Sequence, residues 1–374
     1  MNILILNWRD INNPDAGGAE ISLFHHAKFW KRMGAKVTWF ASSFQGAKER
    51  EIIDGITIIR KGSVYTVHFL FFYLYLKKYF EKQTIIVDSF HFLPFFTPLF
   101  VKNSKIIALI NEVANKLWFS NLFLPFSLIG YLSESYFFHL YKNIPFITGS
   151  DSAKLDLEKC GIKSDNITVV NHGVEILSVK ETVKKEKIPT ILFLGRISDD
   201  KGIKDAFNTF LILLNHNKYV NLWIVGKESE KGKCLKLIHR YFPDEDSKMR
   251  IKYFGYVTEI RKFEIMKQSW VLIHPSQKEG WGLTVIEAAS QSVPTVGYNV
   301  EGLKDSIKDG KTGILVKPKP EFLALAIQEL INNKEKREGL GEEAKKWAKA
   351  FNWEKSSEKS WKLILKYLEE DEKN

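Results

Sequence analysis

Two successive series of short apolar runs, each alternating with stretches of helical periodicity, constrain this chain more than any other feature. Such alternation marks a mainly parallel sheet covered by helices. In the first series, strands are predicted at 2–6, 36–40, 56–60, 85–87, 106–110, 146–148 and 167–170. Between the first two lies a helix that begins near Gly18, carries Leu23, Ala27 and Trp30 at helical spacing, and stops at Gly34. A polar, lysine-rich stretch at 178–187 then reads as a linker. The second series predicts strands at 190–194, 221–225, 251–254, 270–274, 295–297 and 313–316, with helices over 282–291 and 320–332. The expectation is an α/β chain of two doubly wound domains, 1–177 and 188–354. A last helix over 353–368, with Trp361, Ile364, Leu365 and Leu368 on one side, is expected to pack on a domain surface. The segment 355–374 would thus return to the first domain.

With 374 residues, 45% hydrophobic and 26% charged, the chain has material for two cores and little reason for disorder outside its charged tail. The net charge of +11 calls for something anionic: nucleotide phosphates, a lipid surface or nucleic acid. No nucleic-acid recognition motif accompanies it, so no nucleic-acid partner is expected. Cys160 and Cys234 lie far apart without metal-ligand spacing, which argues against a zinc site or disulfide framework and for a reducing, cytoplasmic setting. The N-terminus lacks the basic region of a signal peptide and reads as a buried strand. The run at 64–76 includes His68 and is too short to span a bilayer; it reads as an amphipathic or buried helix.

Three constellations could carry chemistry. Gly17 and Gly18, in the loop between the first strand and its helix, permit close backbone approach, and helix-start amides there would favour phosphate; an ordinary tight turn is the other reading. Arg196 and Lys201 follow the first strand of the second domain, where parallel sheets bind ligands. They could neutralise a diphosphate, or form a solvated charged loop. In the third, Glu279 precedes the turn Gly280-Trp281-Gly282, and the amides of Gly282, Leu283 and Thr284 open a helix that carries Glu287 one and a half turns in. A carboxylate before such a turn can accept bonds from sugar hydroxyls. Glu287 sits between Ile286 and Ala288-Ala289, which makes a plain solvated role a poor fit.

Glu279 and Glu287 reproduce the E-x7-E signature of retaining GT-B glycosyltransferases, and the stretch resembles family 4 (glycosyl transferases group 1). The loop 17–20, the Gly195-Arg196 to Lys201-Gly202 pair, the Phe254-Gly255-Tyr256-Val257 turn and the strand entry at 293–297 accompany it. So do Gly302 to Asp305 and the segment 309–313. The resemblance covers essentially the chain and is strongest over 190–316. It implies two Rossmann-like domains facing across a deep cleft, and transfer of a sugar from a UDP- or GDP-sugar with retention. It also implies roles: Arg196 and Lys201 holding the diphosphate in place of a metal, Glu279 on the transferred sugar, Glu287 on the ribose, and backbone around Tyr256 at the base. No cofactor or metal is implied, and Asp244-Glu245-Asp246, which has no strand leading into it, reads as a solvated turn.

His91, after a strand of the first domain, reads either as an acceptor-side residue or as a structural histidine among aromatics. Asn111 is a departure, because family members commonly carry a histidine there that contacts the donor sugar. The chain is then either an active enzyme with a substitute at this position or a catalytically impaired nucleotide-sugar-binding subunit. Phenylalanine-rich runs at 69–78 and 119–129, with flanking lysines, suit either core-facing helices or an interfacial surface. They tilt the acceptor toward a lipid-linked or membrane-associated glycan reached by peripheral contact at the inner face of the membrane. A soluble sugar acceptor is the alternative.

Overall fold

A computed structural model describes residues 1–80, 82–90, 92–115, 117–121, 123–217, 219–228 and 230–372. The chain forms two compact units: Met1–Gly173 with Asn352–Asn374, and Val174–Phe351. The first contains β1 (Asn2–Leu6), α1 (Gly18–Arg32), β2 (Lys36–Ala41), β3 (Arg50–Ile53), β4 (Ile56–Arg60), α2 (Val67–Leu76) and β5 (Ile85–Phe90). It continues with β6 (Lys105–Ile110), α3 (Leu117–Asn121), α4 (Phe126–Leu140), β7 (Phe146–Thr148), α5 (Asp151–Lys159) and β8 (Ile167–Val169). The strand order is β3-β4-β2-β1-β5-β6-β7-β8. All pairs are parallel except β3 with β4.

Alternation along these strands separates two cores. Ile3, Ile5, Ile85 and Val87 pack with Leu23, Ala27 and Trp30 of α1. Leu4, Leu6, Ile86 and Ile106 pack with Val67 and Phe71 of α2. Ala108 and Ile110, of the same parity as Ile106, pack with Phe138 of α4, so α2 and α4 cover one face of the sheet and α1 the other.

The second unit contains β9 (Thr190–Leu194), α6 (Ile203–His216), β10 (Asn221–Val225), α7 (Lys233–Tyr241), α8 (Glu245–Met249), β11 (Ile251–Gly255) and α9 (Glu259–Gln268). It ends with β12 (Val271–His274), α10 (Leu283–Ser290), β13 (Thr295–Tyr298), α11 (Leu303–Ser306), β14 (Gly313–Val316), α12 (Pro320–Asn332) and α13 (Lys334–Ala348). Its order, β11-β10-β9-β12-β13-β14, is all parallel and reverses between β9 and β12. The carboxyl ends of those two strands are where a doubly wound sheet receives a ligand.

The lysine-rich stretch expected to be a linker instead belongs to the second unit. Leu177 and Val179 pack against its core, Lys185 Nζ donates to Ser269 O at 2.7 Å, and Trp270 Nε1 donates to Glu186 O at 2.7 Å. The division falls earlier, at Gly173 and Val174. Asp244 is also more than a turn residue, since it caps α8 by accepting the amide of Ser247 at 2.8 Å.

The last helix, α14 (Trp353–Glu372), returns to the first unit and lies on α1. Trp361 and Ile364 enter the core beside Trp30, each burial contributing roughly 1.5–3 kcal/mol. Ser360 Oγ accepts from Trp30 Nε1 at 3.0 Å and lies 3.1 Å from His26 Nδ1. The His25 ring stacks on Trp353 with centroids 4.3 Å apart.

Candidate active site

Lys201 follows β9 and Glu279 follows β12, the two strands at which the second unit's order reverses. Lys201 Nζ donates to Glu279 Oε1 at 2.6 Å, and Ser276 Oγ donates to the same oxygen at 2.9 Å. His274 Nε2 lies 3.8 Å from it and 3.2 Å from Thr284 Oγ1. Burial raises the cost of ionising Glu279, but the charge of Lys201, with help from His274 and the two hydrogen bonds, outweighs it and holds the carboxyl below its usual range. Burial likewise pushes the His274 imidazole down, against the pull of Glu279. The result is a pre-ionised carboxylate with a cation already on it, in a partly desolvated setting where such contacts are strong.

Glycines hold the segment that carries Glu279. Gly202, at φ +73°, lies so close to Pro275 that a Cβ there would come within 2.1 Å of its carbonyl oxygen. Gly302, at φ +77°, stands in the same relation, 2.1 Å, to the carbonyl oxygen of Glu279. Gln277 adds a tie to α6, its side-chain amide donating to Asp205 Oδ2 at 3.1 Å, where Tyr298 OH also donates at 2.7 Å. The loop is therefore fixed from the β9 side and from the β13 side.

Glu287, half-buried on α10, pairs with Lys262 of α9, Nζ to Oε1 at 3.0 Å. Burial raises its carboxyl pKa, against the nearby ammonium. Helix α10 opens at Gly282, φ +87°, with no side chain capping its first turn, which leaves backbone donors of Leu283 and Thr284 for a ligand. Gly280 lies in the turn between Glu279 and this helix.

Other predicted site residues are placed differently. Arg196 is 60% exposed at its side chain and turns toward Asp200, Nη2 to Oδ2 3.2 Å. Tyr256, just after β11, is well exposed. The Trp281 side chain is not a donor contact: it is buried among Ile286, Ala344 and Phe351, its ring 5.1 Å from that of Phe351, so only its backbone remains for the site. Leu283 packs against the same group. In the first unit, the amide of Gly17 is not free, because Glu20 Oε2 accepts it at 2.7 Å; Gly18 opens α1. Asn111 directly follows β6 and is half-buried. His91 lies outside the described residues.

Sequence reasoning missed His274 and Ser276. His274 ends an apolar strand, which disguised it as a strand residue; its signal is a polar triplet, His274-Pro275-Ser276, three to five residues before Glu279.

Residues 176–347 match the model of the family described as "Glycosyl transferases group 1". The chain is 30% identical over 199 residues to the capsular polysaccharide biosynthesis glycosyltransferase CapM of Staphylococcus aureus, a match covering 49% of this chain and 51% of that protein. The chain thus spans about half the length of such curated relatives. Among solved structures, sucrose-phosphate synthase from Thermosynechococcus elongatus superposes with a TM-score of 0.79 at 17% identity, over 98% of both chains. HepE of Anabaena, solved in complex with UDP-glucose, superposes with a TM-score of 0.74 at 16% identity, over 98% of this chain and all of that one. Residues 176–347 thus resemble the glycosyl transferases group 1 family, within a GT-B fold that extends along the chain.

Proposed function

We propose that the chain is a retaining glycosyltransferase of family 4, moving a sugar from a UDP- or GDP-sugar to a lipid-linked or membrane-associated glycan at the inner face of the membrane. The observation that carries this reading is the Lys201–Glu279 pair at the strand-order reversal of the second unit. The UDP-glucose held by HepE and the capsular role in CapM's name support the donor and acceptor classes.

In this mechanism Lys201 and Arg196 face the donor diphosphate and take up the charge that develops as it leaves, so no divalent metal is required. Glu279 holds hydroxyls of the transferred sugar, and its bond to Lys201 links sugar position to phosphate position. Glu287 takes the ribose hydroxyls. The anomeric carbon–oxygen bond to the diphosphate breaks while the acceptor oxygen bonds to the same face of that carbon. The acceptor's proton passes to a phosphate oxygen of the leaving group. Positioning and electrostatic stabilisation supply the rate without a protein nucleophile.

Asn111 favours a second reading, a nucleotide-sugar-binding subunit with impaired catalysis. The test is a screen of nucleotide sugars for slow donor hydrolysis, with and without EDTA. Hydrolysis of one donor, retained in EDTA, is the expected result. Binding without hydrolysis favours the subunit, and activity lost in EDTA and restored by magnesium or manganese overturns the metal-free mechanism.

A further inference from the structure

Helix α4 is built inside out. The side it buries carries Ser127, Gly130, Glu134 and Phe138, small or polar at three positions of four. Its outward side carries Phe126, Ile129, Leu132 and Tyr136, all exposed, with Tyr136 at 75%. A surface helix of a water-soluble domain shows the opposite pattern. The inward packing explains how such a helix can be held. The Trp118 ring lies where a Cβ on residue 130 would be, at 2.2 Å, so only glycine admits it. Glu134, the one carboxylate of α4, turns inward and accepts the amides of Ala114 and Asn115 at 2.8 Å each. Every ionic group that would keep the outward side in water is absent or withdrawn.

The apolar surface continues onto α2. Phe96 packs against Phe137 of α4 at 5.2 Å, and its neighbour Phe95 packs against Phe71 of α2 at 5.7 Å. Helix α2 has no charged side chain and leaves Phe69 74% exposed. Exposed lysines follow both helices, Lys77 and Lys78 after α2 and Lys142 after α4. The opposite face of the same sheet differs, since α1 carries Lys28, Lys31 and Arg32 outward in the usual manner.

We infer that the α2–α4 face docks on an anionic lipid bilayer, with the outward side of α4 entering the headgroup–acyl boundary and the lysines meeting lipid phosphates. Charge selects this occupant: a face with exposed cations and no exposed carboxylate on either helix matches an anionic surface. No helix among the described residues is long and apolar enough to cross a membrane, so the face lies on the bilayer. The inference deepens the proposed acceptor reading and rests on it for its biological sense.

The test is co-sedimentation of the full chain with vesicles of pure phosphatidylcholine and with vesicles in which about a third of the lipid is phosphatidylglycerol. The expected result is at least about tenfold stronger partition onto the anionic vesicles, weakening as salt rises. The double substitution Ile129→Asp, Leu132→Asp should lose about tenfold or more of that partition. Lys77→Glu, Lys78→Glu should lose the preference for anionic lipid, and Met33→Asp, on the other sheet face, should change neither. Circular dichroism checks the fold; if the aspartate variant is altered, Ile129→Ser, Leu132→Ser is read in its place. Wild type that stays in the supernatant, or a folded variant at 129 and 132 that sediments like wild type, overturns the inference. So does a wild-type dimer that the variant renders monomeric without vesicle binding in either, which would assign the face to a second copy. Vesicle binding without sugar transfer to any acceptor counts against the proposed function alone; transfer to a soluble acceptor without vesicle binding counts against this surface alone.

Discussion

The ammonium of Lys201 sits 2.6 Å from Glu279 Oε1, so the carboxylate assigned to the sugar is ionised and oriented by the same cation assigned to the diphosphate. Replacing Lys201 by Met should leave a largely buried carboxylate without its cation, costing about 1–3 kcal/mol and raising the Glu279 pKa. The sign follows from the depressed folded-state value. In wild type this pair's stabilisation is complete above the ordinary carboxyl value of 4.5 and is lost as pH falls through the lower folded value. Thermal melts from pH 7 to 3 should therefore show a smaller acid loss from this pair in Lys201→Met. An unchanged acid limb would remove the pair from the stability argument.

The two carboxylates of α10 and its preceding loop should separate binding from turnover. Glu279→Gln is expected to reduce turnover more than free nucleoside diphosphate affinity, because the transferred sugar is absent from that ligand. Glu287→Gln is expected mainly to weaken nucleotide binding, since the ribose is present in both. Calorimetry with the free nucleotide and kinetics with the sugar donor make the comparison. Equal effects on free-nucleotide affinity would contradict the division of roles.

Gly302 and Gly310 offer a matched pair of alanine substitutions. Both have positive φ, +77° and +69°, where a side chain should cost roughly 1–3 kcal/mol on that ground. Only at 302 does a new Cβ meet a backbone atom, the Glu279 carbonyl. Gly302→Ala should therefore melt lower than Gly310→Ala and lose transfer activity as the Glu279 loop is displaced. Equal activity in the two variants would show that the contact does not position Glu279.

Histidines buried in the first unit predict a different acid sensitivity. Burial pushes His26 to about 3 and His172 to about 4, from an ordinary value of 6.5. Below 6.5 the unfolded chain takes up protons that the folded chain refuses, so stability falls as pH drops from 6.5 toward 4, by up to about 1.4 kcal/mol per pH unit per proton. His26→Gln, which keeps a donor for Ser360, should flatten this fall in melts monitored across the window. A wild type equally stable at pH 7 and pH 4.5 would refute it.

Asn111 is expected to work in place of the family's histidine. Its amide offers a donor and an acceptor, sufficient for positioning a sugar hydroxyl though not for gaining charge near neutrality. Asn111→Ala should lose about tenfold or more in turnover, and Asn111→His should gain little. Turnover absent from wild type and present only in the histidine variant would mark a disabled site.

Strands that alternate or run apolar were legible, and so was the E-x7-E stretch, because both are patterns of neighbouring residues. What was hidden depends on distant partners. The strand expected at 85–87 runs on to Phe90 because Asp88, a turn residue by type, is buried and accepts from Thr97 Oγ1 at 2.7 Å and from Tyr141. Edge strand β3 was missed because its exposed and half-buried positions alternate among charged residues. Trp281 beside two glycines looked like a ligand contact, yet Phe351, seventy residues on, claims its ring. Glu134 reads as an ordinary helix-surface acid until the amides it serves, twenty residues back, are placed beside it.

The return of α14 to the first unit sets an order on synthesis. A ribosome releases residues 1–173 long before it releases Trp361 and Ile364, and all of 174–351 emerges between them. Until then the nascent first unit carries an open seam along α1, with the Trp30 indole still lacking the hydroxyl of Ser360. The second unit, whose residues are contiguous, can close its own core while the first waits. A holdase that covers apolar grooves would find its target in that interval, and the first unit would be finished last although it is translated first.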